Sequence, residues 1–208
     1  MENVENYLSE IKEIRKIMTE SNRFMSLSGF SGILIGIYAL IGSCTAYRII
    51  YFPFSMFRKV YVNQIFDNLF LIAVIVLILA LSTGVWLTWR RTKKQGKTIW
   101  NTSTRQMLLN VSIPLLTGGI FIFIFALRGF YSVIAPSCLI FYGLALISGA
   151  KYTRKELFYM GLFEIGLGIL AALFPGVGLL FWAIGFGILH IIYGAVMYFR
   201  YETHSMEN

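Results

Sequence analysis

Charge is scarce in this sequence. Only 13% of its 208 residues are Asp, Glu, Lys or Arg, while 57% are hydrophobic. An ordinary soluble domain carries roughly a quarter charged residues, so this composition argues against one. Cysteine is nearly absent. Cys44 and Cys138 both fall inside apolar runs, which excludes a disulfide framework and a CxxC site. Both are expected to be buried, free and hydrophobic in behaviour. Histidine is as rare, with His190 and His204. Haem ligation would lack a second intramembrane His, and zinc would lack ligands, so neither metal nor cofactor is expected. HExxH, GxSxG, a Walker loop and paired carboxylates are all missing, so no catalytic residue is assigned and no enzyme is expected. The net charge of +8 does not point to nucleic acid either, because the basic residues cluster between apolar runs.

Long apolar stretches fill the space these absences leave. Crossing a hydrocarbon core takes about 20 mostly apolar helical residues, at about 1.5 Å each over about 30 Å. Six runs qualify, near Leu27–Tyr47, Leu69–Trp89, Met107–Leu127, Phe130–Ala150, Leu157–Phe174 and Val177–Phe199. Backbone polar groups in lipid must be satisfied within the segment, so these runs are helices rather than strands. Pro136 falls in the first two turns of the fourth, where a missing amide is best tolerated. The expected fold is all-α: a polytopic transmembrane bundle of six helices in three helical hairpins, preceded by an amphipathic N-terminal helix. The chain divides into a cytoplasmic segment 1–26, a transmembrane domain 27–200 and a polar tail 201–208. The acidic start, Met1-Glu2-Asn3-Val4-Glu5, does not read as a signal peptide, so the first helix is expected to be retained.

Lys and Arg set the expected orientation. Fourteen of the eighteen fall on one side: Lys12, Arg15, Lys16 and Arg23; Arg90, Arg91, Lys93, Lys94, Lys97 and Arg105; Lys151, Arg154, Lys155 and Arg200. The other side holds Arg48, Arg58, Lys59 and Arg128. Both termini are therefore expected in the cytoplasm, as an even helix count requires.

Three apolar runs carry Gly pairs ten residues apart, Gly32/Gly42, Gly119/Gly129 and Gly166/Gly176. Each second Gly follows an Ala-Leu step: Ala39-Leu40, Ala126-Leu127 and Ala172-Leu173. The partner helices end in Gly84/Arg90, Gly149/Arg154 and Gly194/Arg200. The pattern reads as three hairpins of one ancestry, all pointing the same way. That is a parallel repeat, unlike the inverted repeat of many secondary transporters.

The stretch Ile165-Gly166-Leu167-Gly168-Ile169-Leu170-Ala171-Ala172-Leu173-Phe174-Pro175, with Ile184-Gly185-Phe186-Gly187-Ile188 and Tyr193-Gly194, resembles the helical-hairpin repeat of the HdeD-like acid-resistance membrane proteins. Over nearly its whole length the chain also resembles an uncharacterised family of six-helix bacterial membrane proteins. Ser26-Leu27-Ser28-Gly29, Ile140-Phe141-Tyr142-Gly143-Leu144-Ala145-Leu146 and Leu180-Phe181-Trp182-Ala183-Ile184-Gly185-Phe186-Gly187 are the closest segments. These resemblances imply a fold and a bacterial inner membrane. They imply no chemistry.

Two ionisable residues lie deep in the runs, Glu164 and His190. Glu164 precedes Gly176 by 12 residues and His190 follows it by 14. At about 1.5 Å per residue that places them ~18 and ~21 Å from the turn, near one depth close to the midplane. Gly161 and Gly168 flank Glu164, and Gly187 and Gly194 flank His190, at i−3 and i+4. Such small-residue stripes let helix backbones approach. The pair is expected to meet directly or through one water. Two roles stay open: helix–helix glue, or a proton, ion or ligand contact.

Val4, Tyr7, Leu8, Ile11, Ile14, Ile17, Met18 and Met25 form an apolar stripe, with mixed charges on the remaining face. Packing under the bundle is the default for this amphipathic helix; lying on the bilayer and pairing with another chain are the alternatives. The loop Arg90-Arg91-Thr92-Lys93-Lys94-Gln95-Gly96-Lys97 reads as topogenic charge that also suits anionic lipid. Trp86, Trp89 and Trp100 beside it read as an interfacial belt. Tyr51, Phe52, Phe54, Phe57, Tyr61 and Phe66 make the first outer connection an interfacial or re-entrant cap. The functional expectation is a non-enzymatic membrane protein of stress or regulatory type, acting through a partner or by forming homo-oligomers in the lipid bilayer. The alternative is a carrier or channel for protons or a small solute, with Glu164 and His190 lining the path.

Overall fold

In the computed structural model, which describes residues 28–52, 62–94 and 100–201 together with Ile11, each apolar run has become a helix. They are α1 (Gly29–Tyr51), α2 (Val62–Lys94), α3 (Thr102–Leu127), α4 (Ile134–Ala150), α5 (Lys155–Leu173) and α6 (Gly178–Tyr201). A single 3₁₀ turn, Tyr131–Val133, leads into α4. All six are long and apolar enough to cross a hydrocarbon core, and no strand occurs among the described residues. These are the features of a polytopic integral membrane protein. The amphipathic segment (Ile11 apart), the aromatic residues 53–61, residues 95–99 of the basic loop and the tail beyond Tyr201 lie outside the described residues.

The helix ends follow local chemistry. Asn101 caps α3: its side-chain oxygen accepts from the Thr104 amide at 2.7 Å and from the Thr104 hydroxyl at 2.8 Å. The α3 C-terminus closes in a Schellman motif around Gly129. The Gly129 amide donates to Ala126 and the Phe130 amide to Phe125, while the Phe125 and Phe130 rings meet at 5.8 Å. Gly129 has φ +78° and Gly176, after α5, φ +100°. Gly129 thus serves as a left-handed helix stop, while Gly176 takes the left-handed position of the Phe174–Val177 turn, in which the Val177 amide donates to the Phe174 carbonyl at 3.4 Å. Gly119 and Gly166, the glycines paired with them in sequence, meet nothing within 4 Å of where a Cβ would stand.

Pro136 is the third residue of α4, where its missing amide hydrogen is one that the helix start leaves unpaired anyway. Pro114 lies inside α3, where a soluble helix would lose about 3 kcal/mol. Membrane helices tolerate such a break when neighbouring groups re-satisfy the backbone. One turn before the proline, and apart from the Asn110 carbonyl that Pro114 leaves without its amide partner, the Asn110 side chain donates to the Gln106 carbonyl and to the Tyr152 hydroxyl, tying α3 to the α4–α5 connection.

Neighbouring helices run antiparallel, and glycine sets how near they come. On α1, Gly29, Gly32 and Gly36 face Tyr198, Gly194 and Gly187 of α6 in turn. A Cβ on Gly194 would stand 2.6 Å from the Gly29 carbonyl oxygen, so the two backbones touch. The second seam joins α4 to α5, where Gly143 and Gly161 face each other's carbonyls and Gly168 abuts Ile140. The outer helices are held by side chains: α2 by Val76 against Gly42, α3 by Phe141 against Gly118. In their apolar windows α2 and α3 bury only 6% of residues, whereas α4 and α5 bury 33%. Apolar surface left that bare in a bundle of this class is a lipid-facing surface.

The hairpins are not three equal units. Within the first two, Gly84 faces Ile35 and Gly149 faces Val111, so each partner-helix glycine serves its own hairpin. Gly194 faces α1 instead, and α5 and α6 each pack more extensively on α4 and α1 than on one another. Both ends of the described bundle, Gly29 and Tyr198, consequently meet on one side. There Arg200 and the Tyr201 hydroxyl donate to Glu156 Oε1 at 3.0 and 2.9 Å, and the Arg154 guanidinium lies 4.3 Å over the Tyr201 ring.

Candidate functional site: a polar centre inside the bundle

Glu164 is the tenth of the 19 residues in α5, and His190 falls near the middle of α6. Each sits between glycines that bring another helix close, but the helices differ. Gly161 and Gly168 draw α5 onto α4; Gly187 and Gly194 draw α6 onto α1. The two polar side chains project from these seams into the space the four helices share. His190 Nδ1 stands 3.8 Å from Glu164 Oε1, with His190 5% and Glu164 0% exposed. That is ion-pair range and beyond hydrogen-bond range.

A third residue, Tyr142 of α4, completes the centre: its hydroxyl lies 2.8 Å from His190 Nε2. The imidazole is thus engaged at both nitrogens. Nδ1 lies 3.1 Å from the Gly185 carbonyl, five residues back on its own helix. A carbonyl can only accept, so the hydrogen-bond network assigns the ring hydrogen to Nδ1. In the neutral ring Nε2 then accepts, and Tyr142 donates to it. The Tyr142 and Phe186 rings pack on the imidazole, with centroids 5.5 and 5.9 Å away.

The backbone of α6 makes this possible. Residues Ala183–Leu189 form a π-helical stretch that ends immediately before His190. Wide turns of this kind inside α-helices recur at functional positions. Gly185 within it has a second duty, because a Cβ there would stand 2.5 Å from Glu164 Oε2 and 2.5 Å from Leu139 Cδ2. Glycine is the residue that admits the carboxyl group.

Among the described residues, Glu164 itself has no hydrogen-bond partner at either oxygen. A buried polar group left so is costly, more so if charged. His190 Nδ1–H points at Gly185 while the carboxyl group waits 3.8 Å away. Chemically the centre offers one carboxyl oxygen able to hold or release a proton and one imidazole hydrogen with two acceptors in reach. Among the described residues no group of three His, Cys, Asp or Glu side chains is placed to hold a metal.

Sequence reasoning missed Tyr142, whose hydroxyl hides in an apolar run and reads as another aromatic. The available signal was its place beside a packing glycine, Gly143, a Tyr-Gly step repeated at Tyr193-Gly194. It also missed the π-helical stretch and Pro114. Cys138 is partly buried and Cys44 is exposed on α1, so the expectation of two buried thiols fails for Cys44, which continues the outer stripe of exposed Ile37 and Ile41. Trp86, Trp89 and Trp100 are all exposed, with Arg90 over Trp86 at 5.6 Å and Lys93 over Trp89 at 5.4 Å, as in an interfacial belt.

Fold and centre together define a polytopic α-helical membrane protein with a buried Tyr–His–Glu cluster spanning three helices. The chain matches no family model, no curated protein and no solved structure.

Proposed function

We propose that this is a non-enzymatic integral protein of the bacterial cytoplasmic membrane, of stress or regulatory type, which acts through a membrane or cytoplasmic partner or through copies of itself. Both termini face the cytoplasm in this reading, on the strength of fourteen Lys and Arg against four. The observation that carries it over solute passage is closure. With Glu164 at 0% and His190 at 5% exposure, and the Gly185 backbone close against the carboxyl group, burial supports reading the polar centre as a contact rather than a conduit. The test is native mass spectrometry from lipid nanodiscs, beside affinity capture from the protein's own membranes. A discrete assembly or a stoichiometric membrane partner is expected. A strict monomer with no partner contradicts the reading.

A second reading, a proton or small-solute carrier, draws support from one specific observation: among the described residues, neither oxygen of the fully buried Glu164 has a hydrogen-bond partner. Intramembrane carboxylates mark proton and ion paths often enough to warrant the assay. Proteoliposome flux that falls in Glu164→Gln and His190→Ala supports this reading; flux absent from the parent protein, or unchanged in both variants, contradicts it.

A further inference from the structure

We infer that Glu164, His190 and Tyr142 form a proton-binding site whose occupancy decides which acceptor the His190 Nδ1–H serves, and with it the state of the π-helical stretch of α6. This goes beyond both functional readings, because it concerns the binding of one proton and holds whether or not the protein assembles or conducts.

The ligand is chosen by size and chemistry. The carboxyl group is 0% exposed and lies so close to the Gly185 backbone that a single Cβ there would stand 2.5 Å from its Oε2, which suits a ligand no larger than a proton. An anion is unsuited to an acidic oxygen, and a metal ion would find one carboxylate and one imidazole already committed at both nitrogens.

The two states follow from the distances. In the loaded state Glu164 is a carboxylic acid, and His190 is neutral with its hydrogen on Nδ1, donated to the Gly185 carbonyl over 3.1 Å, while Nε2 accepts from Tyr142 over 2.8 Å. Release moves one proton from Glu164 to bulk water and leaves a carboxylate. Nδ1–H then has an ionic acceptor 3.8 Å away, a stronger partner than a neutral carbonyl. A small rotation of the ring closes that gap, keeps Nε2 on Tyr142 and withdraws the side-chain donor from the Gly185 carbonyl. No other proton moves, and the net change is one proton and one unit of charge. Since Gly185 lies within Ala183–Leu189, the carbonyl that gains or loses this extra donor belongs to the irregular turn itself. Carboxyl protonation and helix geometry are thereby linked through a single hydrogen bond.

The titratable groups near the carboxyl group are Tyr142 from α4 and His190 from α6, with Tyr193 of α6 beyond them, beside Tyr142. The described part of α1 brings no charged side chain before Arg48 near its far end. Among the described residues, His190 and the Tyr142 hydroxyl it holds are therefore the groups placed beside the carboxylate.

The experiment is a pH titration of the full-length protein in lipid nanodiscs, read in two ways. Infrared difference spectra report the protonated carboxyl stretch, and 15N spectra of a His204→Gln background report His190 alone. Expected are a carboxyl band that disappears as pH rises, a His190 Nδ1 signal that changes with the same midpoint, and an Nε2 signal that stays unprotonated on both sides. Glu164→Gln should abolish the band and hold the Nδ1 signal at its low-pH position throughout. Should that variant fail to fold, the shared midpoint in the His204→Gln background still decides the matter. A carboxyl band absent or constant at all pH values, a band that survives Glu164→Gln, or two separate midpoints would each overturn the proposal.

Discussion

His190 stands 3.8 Å from Glu164 across the meeting of α5 and α6, yet it gives its Nδ1 hydrogen to Gly185 on its own helix. One residue type at position 185 permits both relationships. Gly185→Ala would place a methyl group 2.5 Å from both Glu164 Oε2 and Leu139 Cδ2. Overpacking of this kind costs about 1–3 kcal/mol. Thermal unfolding in detergent should show that loss, while Gly166→Ala, with nothing within 4 Å, should leave the melting point unchanged or raised.

Tyr142→Phe keeps the ring that packs on the imidazole and removes only the hydroxyl 2.8 Å from Nε2. The loss expected is about 1 kcal/mol, the usual net worth of one hydrogen bond. Unfolding measurements on this variant and on His190→Ala, singly and combined, should give non-additive losses, because both changes remove the same bond. Full additivity would mean the two side chains do not meet.

The glycine seams differ from the glycine stops in what a methyl group would strike. Gly194→Ala meets backbone atoms of Gly29 and Ile33, which cannot move aside without parting α1 from α6. Gly129→Ala meets nothing and instead forces a Cβ into a left-handed backbone at φ +78°. About 1–2 kcal/mol is the expected strain at Gly129. Gly194→Ala should in addition weaken a Gly36→Cys/Ile191→Cys cross-link across the same α1–α6 seam, relative to one placed across the α4–α5 seam, a readout Gly129→Ala should not share.

The six helices were legible because hydrocarbon thickness sets a length that apolar runs either meet or miss. Their ends were less so. The run Leu69–Trp89 marks only the part of α2 that suits lipid tails, while backbone hydrogen bonding carries the helix from Val62 to Lys94 through polar residues. The meeting of Glu164 and His190 was legible too, since both could be counted from one turn. Tyr142 could not be found in that way. It arrives through α4, which belongs to another hairpin, and hairpin order does not say which helix fills the space beside α6. The ten-residue glycine pairs misled for a related reason. Spacing alone does not separate Gly42, pressed on Val76, from Gly129, which packs on nothing and ends a helix.

Orientation is checked by labelling from one side. With Cys44 and Cys138 replaced by Ser, Gln95→Cys should resist a membrane-impermeant maleimide added outside intact cells, and Phe54→Cys should react. The reverse pattern would invert the topology inferred from the placement of Lys and Arg.

The most direct test of the whole account is the depth of Phe163, which neighbours Glu164 at mid-helix on α5 and is 64% exposed. A nitroxide on Phe163→Cys in lipid nanodiscs, compared for collisions with oxygen and with a polar nickel chelate, reports whether that surface meets lipid tails or water. Six membrane-spanning helices around a buried polar centre require strong oxygen relaxation and almost none from the chelate. Relaxation dominated by the chelate would place the middle of α5 in water, and the account would be wrong.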